Sequence, residues 1–224
     1  MEQAWVPLLL SLKVAGWATV LNVVFGVAAG FGLARWRSGA RDVVDSLLTL
    51  PLVMPPTVLG YYLLVLLGRR GMVGGWLDRL GIELVFTWQG AVIASMVVAF
   101  PLVLKSARAA FESVDPQLER AARTLGISEA AIFFRVTLPL ATRGILAGTL
   151  LSFARALGEF GATLMIAGNL PGRTQTLSVA VYAAVQAGDD STANFLVLVT
   201  SATCVAVLLL AGRLVPQHSL MTSR

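Results

Sequence analysis

Apolar residues run along this chain in blocks too long for one face of a soluble helix, separated by short polar connections rich in Arg, Gly and Pro. The blocks predict five transmembrane helices, at about residues 8–34, 46–67, 90–111, 145–167 and 193–210. The first connection carries Arg35, Arg37 and Arg41. A glycine-rich polar loop over Gly68–Gln89 carries Arg69, Arg70, Asp78, Arg79 and Glu83, and a longer charged connection covers 112–143. The fourth block leaves through Gly168-Asn169-Leu170-Pro171-Gly172, a turn signature, and Gly188-Asp189-Asp190 precedes the fifth. Between those two breaks, Thr174–Ala187 is apolar enough for a short helix docked against the ends of the spans. The expected fold is an all-α polytopic membrane protein forming one domain over 1–224.

Three details modify this picture. Lys13 sits close enough to the end of the first block to snorkel into the headgroups. Gly26, Gly30 and Gly32 include a small-xxx-small spacing that lets helix backbones approach closely. The second block contains Pro51, Pro55 and Pro56, which remove backbone donors that lipid cannot replace, so this segment is expected to face protein or a water-filled cavity. Two readings stay open for it, a kinked packing helix or a pathway-lining segment.

Composition narrows the class. With 57% hydrophobic and 13% charged residues over 224 positions, and a mean hydropathy of +0.80, the chain is too apolar for a soluble domain. A pI near 10.1 raises nucleic acid as a partner, but the basic residues lie between apolar spans and not on one polar surface, which excludes it. The charges report topology instead. Placing the 112–143 loop in the cytoplasm puts Arg35, Arg37, Arg41, Lys105, Arg108, Arg120, Arg123, Arg135, Arg143, Arg213 and Arg224 inside. Lys13, Arg69, Arg70, Arg79 and Arg173 then lie outside, as the positive-inside rule requires for an external N-terminus and a cytoplasmic C-terminus. Met1–Pro7 carries Glu2 and no basic n-region, so an uncleaved first span is expected in preference to a signal peptide. The one cysteine, Cys204, excludes an intrachain disulfide and a cysteine metal cluster.

The stretch Asp115–Pro139 departs most from the membrane pattern. Asp115 is a good N-cap and Pro116 a good first helical residue, and Gly126 supplies a left-handed stop after Leu125. Ser128 is positioned to cap a second short helix that ends before Pro139. In the first helix Leu118, Ala121, Ala122 and Leu125 are predicted to share one face, with Glu119 and Arg123 paired at i, i+4 on the other. Periodicity alone allows a helix lying on lipid headgroups or one docked on a protein; two alanines offer a bilayer little area, which favours protein.

Glu119, Ala121, Ala122, Gly126, Val136, Leu138 and Pro139 resemble the EAA loop of ABC importer permeases, in which Glu-Ala-Ala, three residues, Gly and nine residues lead to an aliphatic residue and a closing Leu-Pro. One position departs: counting back from Gly126, the general motif's Glu position holds Arg120, and the acid stands one place earlier at Glu119. The molybdate branch resembles this shifted form, including Ala-Ala-Arg-Thr-Leu-Gly at Ala121–Gly126, and it resembles LPLVMPPTVLGYYLL, SFARALGEFGA and the turn at Asn169–Thr176 as well. The resemblance implies a type I ABC importer permease core whose Glu119, Ala121, Ala122, Arg123, Leu125, Gly126, Val136, Leu138 and Pro139 form a coupling loop seated on a cytoplasmic ATPase.

Within the membrane the informative residues are Arg155 and Glu159, at i, i+4 in the fourth block. A lone Arg at the bilayer centre costs about 2.5–3.5 kcal/mol on insertion scales, so the two are expected to face protein or water. They either neutralise each other to fix packing or, with Pro55 and Pro56, line the substrate pathway or its gate. No enzyme signature accompanies them. Lys105-Ser106 is the one Lys-Ser pair and Leu104 stands where a phosphate-binding loop needs glycine, while the one histidine, His218, lies in the tail. Glu159 is the one acid within a predicted span, which leaves no carboxylate pair.

The resemblance implies a non-catalytic permease of the bacterial inner membrane, importing molybdate as a homodimer in the lipid bilayer. The resemblance implies an extracytoplasmic oxyanion-binding protein outside and an ABC ATPase dimer inside, which holds ATP and Mg. The same architecture serving tungstate or sulfate/thiosulfate is the nearest alternative. For a secondary transporter an internal repeat or further intramembrane acids are expected and the sequence shows neither, and a purely structural subunit leaves the EAA-like loop without a role.

Overall fold

In the computed structural model, which describes residues 2–214, helices carry most of the described residues. Among the described residues, four helices are long and apolar enough to cross a membrane, and a bent pair makes a fifth candidate span. Helix α1 (Glu2–Arg35) begins several residues before the predicted span; its 34 residues reach about 51 Å, beyond the ~30 Å of a hydrocarbon core. At its centre the bundle holds α5 (Trp88–Glu112), which buries Ala91, Ala94, Ser95, Val98, Ala99, Val103, Leu104, Ala107 and Ala110. These mostly small side chains let α1 and α8 (Leu138–Leu157) close on it from two sides. Of the expected glycine contacts, Gly26 and Gly30 meet α5, where an added Cβ would lie 3.0 Å from Val103 and Ala107 respectively, while Gly32 faces open space. Lys13 does not simply snorkel: its ammonium lies 3.6 Å over the Trp88 ring at the start of α5.

The proline-rich block is a correction in detail. It starts earlier than residue 46, as α2 (Ala40–Thr49) followed by a 3₁₀ turn over Leu50–Leu52, and resumes as α3 (Pro56–Leu67). The two halves meet at 106°. Pro55 and Pro56 cause the break, since neither has an N–H to continue the ladder and each disfavours α geometry in the residue before it. The following polar loop contains a short helix, α4 (Met72–Asp78), with Arg69 paired to Glu83 and lying 3.7 Å from Asp78.

The connection 112–143 holds α6 (Pro116–Thr124) and the four-residue α7 (Glu129–Ile132). Asp115 caps α6 by accepting the Gln117 N–H at 2.8 Å, and Gly126 takes φ +75° just after it. The second short helix does not end before Pro139 as predicted. A π turn over Phe133–Thr137 carries it directly into α8, so one rod runs from Glu129 to Leu157. The widened turn eases the proline that follows it, which in a regular α ladder would press on an earlier carbonyl.

The predicted fourth span is likewise interrupted. Helix α8 stops at Leu157, Gly158–Phe160 are non-helical, and α9 (Gly161–Ala167) restarts against α3. The expected docked helix is α10 (Leu177–Gln186), whose first N–H donates to Ser11 on α1 at 2.8 Å, and α11 (Asp190–Leu214) packs on it. The predictions made for His218 and Arg224 lie outside the described residues.

Candidate functional site

Two regions collect the residues singled out in the sequence. The first is an open cleft where α8 ends and α3 and α9 begin. Gly158 ends α8, and Glu159 turns its carboxylate back so that Oε1 accepts the Ala162 N–H at 2.9 Å while Oε2 meets Arg155 Nη1 at 2.7 Å. The Glu159 side chain is almost wholly enclosed, whereas Arg155 keeps 33% of its side chain exposed. Arg155 lies about 18 Å along α8 from Arg143, deep within the bilayer if Arg143 marks its edge. Pro56, Thr57, Arg155, Gly158, Glu159, Phe160 and Gly161 line a cleft of about 260 Å³. Thus Pro56, Arg155 and Glu159 come together across two chain breaks, with Pro55 one residue behind as the cap of α3.

The breaks allow this approach because small residues face each other. A Cβ on Gly60 would lie 2.7 Å from that of Met165 and 2.8 Å from the Ala162 Cα, and one on Gly161 would lie 3.1 Å from Pro56. Only glycine permits α3 and α9 to touch along their backbones. An uninterrupted helix could not leave α3 and α9 both starting at one level with their amide ends directed into a shared space. Irregular backbone at such depth is tolerated where it borders a cavity or is buried in protein.

The second region is α6 and the rod that follows. Here the predicted faces are wrong. Within α6 only Glu119 and Ala122 are buried. Leu118 and Leu125 are 48% and 78% exposed, and Ala121 is exposed beside them. Residues three apart share a face, so Glu119 and Ala122 form the inner stripe and Leu118, Ala121 and Leu125 the outer one. The expected Glu119–Arg123 ion pair is present but long, at 3.9 Å, because Arg123 also binds Glu129 with Nη2–Oε2 at 2.9 Å. Glu119 in addition accepts the Thr137 hydroxyl at 2.7 Å and pairs with Arg35, the last residue of α1. Burial pushes its carboxyl up, but the bonds from Arg35 and Thr137 and the charges of Arg35 and Arg123 outweigh that and hold it below the usual carboxylate range.

The remaining loop residues divide by their place in the rod. Val136 and Leu138 are half-buried, Pro139 is exposed at the first turn of α8, and Gly126 is exposed with no atom within 4 Å of an added Cβ.

A family model described as "Binding-protein-dependent transport system inner membrane component" matches residues 22–218. The chain belongs to that family. This permease is 46% identical over 212 residues to the molybdenum transport system permease protein ModB of Escherichia coli K12, covering 94% of this chain and 93% of that one. It is 41% identical over 203 residues to ModB of Haemophilus influenzae, with 89% of each chain covered. The sulfate transport system permease protein CysT of Escherichia coli K12 is 34% identical over 191 residues, 85% of this chain and 69% of that protein. Among solved structures, the inward-facing MetNI methionine ABC transporter superposes with a TM-score of 0.77 at 17% identity, over 96% of this chain and 95% of that one. A bacterial ABC importer of alginate superposes at 0.78 and 16% identity, over 98% and 81%. The two structural likenesses establish the fold alone, the all-helical architecture of ABC importer membrane components; the family match makes the permease a transport component and not itself a catalyst.

Sequence reasoning missed Arg35 and Thr137 as partners of Glu119, and Gly60 and Gly161 as the contact that builds the cleft. The acid's displacement relative to Gly126 was the available signal for the first pair. For the glycines no local signal exists, because their importance depends on two segments a hundred residues apart in sequence being pressed together.

Proposed function

We propose that this permease moves molybdate across the bacterial inner membrane as the membrane subunit of an ATP-driven importer. The observation that carries the reading is its 46% identity, along nearly the whole of both chains, to a molybdenum transport permease. Two copies are taken to pair in the bilayer. A binding protein on the outer side delivers the anion, and an ATPase dimer holding ATP and Mg²⁺ docks on the inner side. The basic connections support a cytoplasmic face for Arg35 and α6, with the N-terminus outside and the C-terminus inside.

In this reading the exposed stripe of Leu118, Ala121 and Leu125 is the ATPase contact, because it is the apolar face of α6 that the chain itself leaves uncovered. The cleft at Pro56, Arg155 and Glu159 borders the anion path. An importer for an oxyanion needs positive charge along the route that does not trap its cargo, and a guanidinium already balanced by a carboxylate offers attraction without a deep well. Reconstituting the permease with its cognate binding protein and ATPase in liposomes tests this directly. ATP-dependent molybdate uptake, competed by tungstate but not by a large excess of sulfate, is expected; uptake of sulfate alone would reassign the substrate.

A further inference from the structure

We infer that Glu119 is an internal positioning residue, a latch that ties the coupling helix to α1 and α8, and not a contact with the ATPase. The inference rests on the proposed ATP-driven function and deepens it.

Successive helical residues are rotated by about 100°, so moving an acid by one place turns it from one face to another. The usual acidic position of the motif, counted back from Gly126, holds Arg120, which is exposed. The acid at Glu119 points inward and is 4% exposed, on a helix that otherwise buries only Ala122. A carboxylate is not buried without partners, and its two closest come from other elements, with Arg123 of α6 itself further off at 3.9 Å. Arg35 ends α1, and Thr137 lies in the π turn that leads into α8. The joint is backed by rings: Phe31 of α1 stacks edge-on against Phe133 and Phe111, with centroids 4.7 and 5.2 Å away, and the Arg35 guanidinium lies 5.2 Å over Phe31.

Displacing α6 therefore either breaks charge-assisted bonds in a half-enclosed site or carries α1 and α8 with it. Helix α8 is continuous from this joint to Leu157, where the cleft of Arg155 and Glu159 begins, and Asn22 of α1 donates to Ser152 of α8 at 3.1 Å part-way along. Force applied at the outer face of α6 thus has a rigid path to the cleft that begins at one carboxylate.

The test uses the full complex in liposomes with Glu119→Gln, Arg35→Met and Thr137→Val, measuring ATPase association, ATP hydrolysis and uptake together. Each variant is expected to keep the ATPase bound and hydrolysing, while molybdate uptake per ATP falls at least tenfold for Glu119→Gln and Arg35→Met and about threefold for Thr137→Val. The exchange Arg35→Glu with Glu119→Arg is expected to recover part of the loss. Release of the ATPase by Glu119→Gln with hydrogen exchange over Pro116–Thr124 unchanged would overturn the assignment by making Glu119 a docking contact, and so would an unchanged ratio of uptake to hydrolysis; release with exchange raised there is what a freed α6 gives and supports the latch. Where Glu119→Gln does not fold, Thr137→Val, which alters one hydroxyl, decides between the same outcomes. Failure of the unaltered chain to bind an ATPase would instead refute the proposed function.

Discussion

Glu159 accepts the Ala162 N–H at 2.9 Å with one carboxylate oxygen and holds Arg155 at 2.7 Å with the other, so a single side chain both starts α9 and balances the guanidinium of α8. Removing Arg155 alone leaves that carboxylate enclosed without a counter-charge. We expect Arg155→Met to destabilise the permease by roughly 2 kcal/mol, less than the loss of a fully buried partner because Arg155 is one-third exposed. The double variant Arg155→Met with Glu159→Gln is expected to regain most of that loss, since an amide oxygen can still accept from Ala162. Thermal melts in detergent measure the stability. Uptake in liposomes then separates packing from pathway: the stable double variant is expected to transport at under a tenth of the original rate, and normal transport would reduce the pair to a packing device.

Close contact of α3 with α9 depends on Gly60, whose added Cβ would fall 2.7 Å from that of Met165. Neither helix can yield cheaply, because the nearest atoms belong to backbone and to a Cβ. Gly60→Val is expected to cost about 1–3 kcal/mol by overpacking and to open the cleft, lowering uptake. Gly32→Ala, on a helix face with no atom within 4 Å, is expected to be neutral or to stabilise by up to about 1 kcal/mol. Melting temperatures of the two variants side by side check the contrast.

Hydropathy made the all-helical membrane class legible, because a run of apolar residues has one meaning at membrane length. The caps at Asp115 and Gly126 were legible for the same reason: each depends only on its neighbours in sequence. What periodicity misjudged was the direction of α6. Apolarity placed Ala122 with Leu118 and Leu125, yet burial follows the position of Arg35 and Thr137, which come from elements remote in sequence. The break after Leu157 escaped notice because Gly158 is a weak signal inside an apolar block, and its consequence, an accessible Arg155 beside Pro56, exists only after folding.

Glu119 also predicts a pH response. Its folded-state carboxyl lies below the usual 4.5, so the stability it contributes is fully present above that value and is lost as the pH falls through the lower folded-state value. Hydrogen exchange across Pro116–Thr137 is expected to be flat from neutral pH down to about 5, once corrected for intrinsic rates, and to lose protection below about 4.5. Glu119→Gln should be less protected throughout and show no step in that window. A step in the variant equal to the original's would assign the transition to other carboxylates.

The two stripes of α6 make opposite predictions for mutation. Leu118 and Leu125 touch little of their own chain, so Leu118→Glu and Leu125→Glu are expected to change the permease's melting by no more than about 0.5 kcal/mol. If this face seats the ATPase, either charge is expected to abolish its retention in a pull-down. Ala122 faces the bundle at 7% exposure, and a leucine there is expected to cost about 1–3 kcal/mol of the loop's own stability. Gly126 holds φ +75°, so Gly126→Leu strains the backbone even though space is open around it, at a cost of roughly 1–2 kcal/mol. Loss of ATPase binding in these last two would follow from a displaced α6, and hydrogen exchange over Pro116–Thr124 is expected to rise in both. Leu118→Glu and Leu125→Glu should lose the partner with exchange unchanged; ATPase retained in both would place the contact elsewhere on the loop.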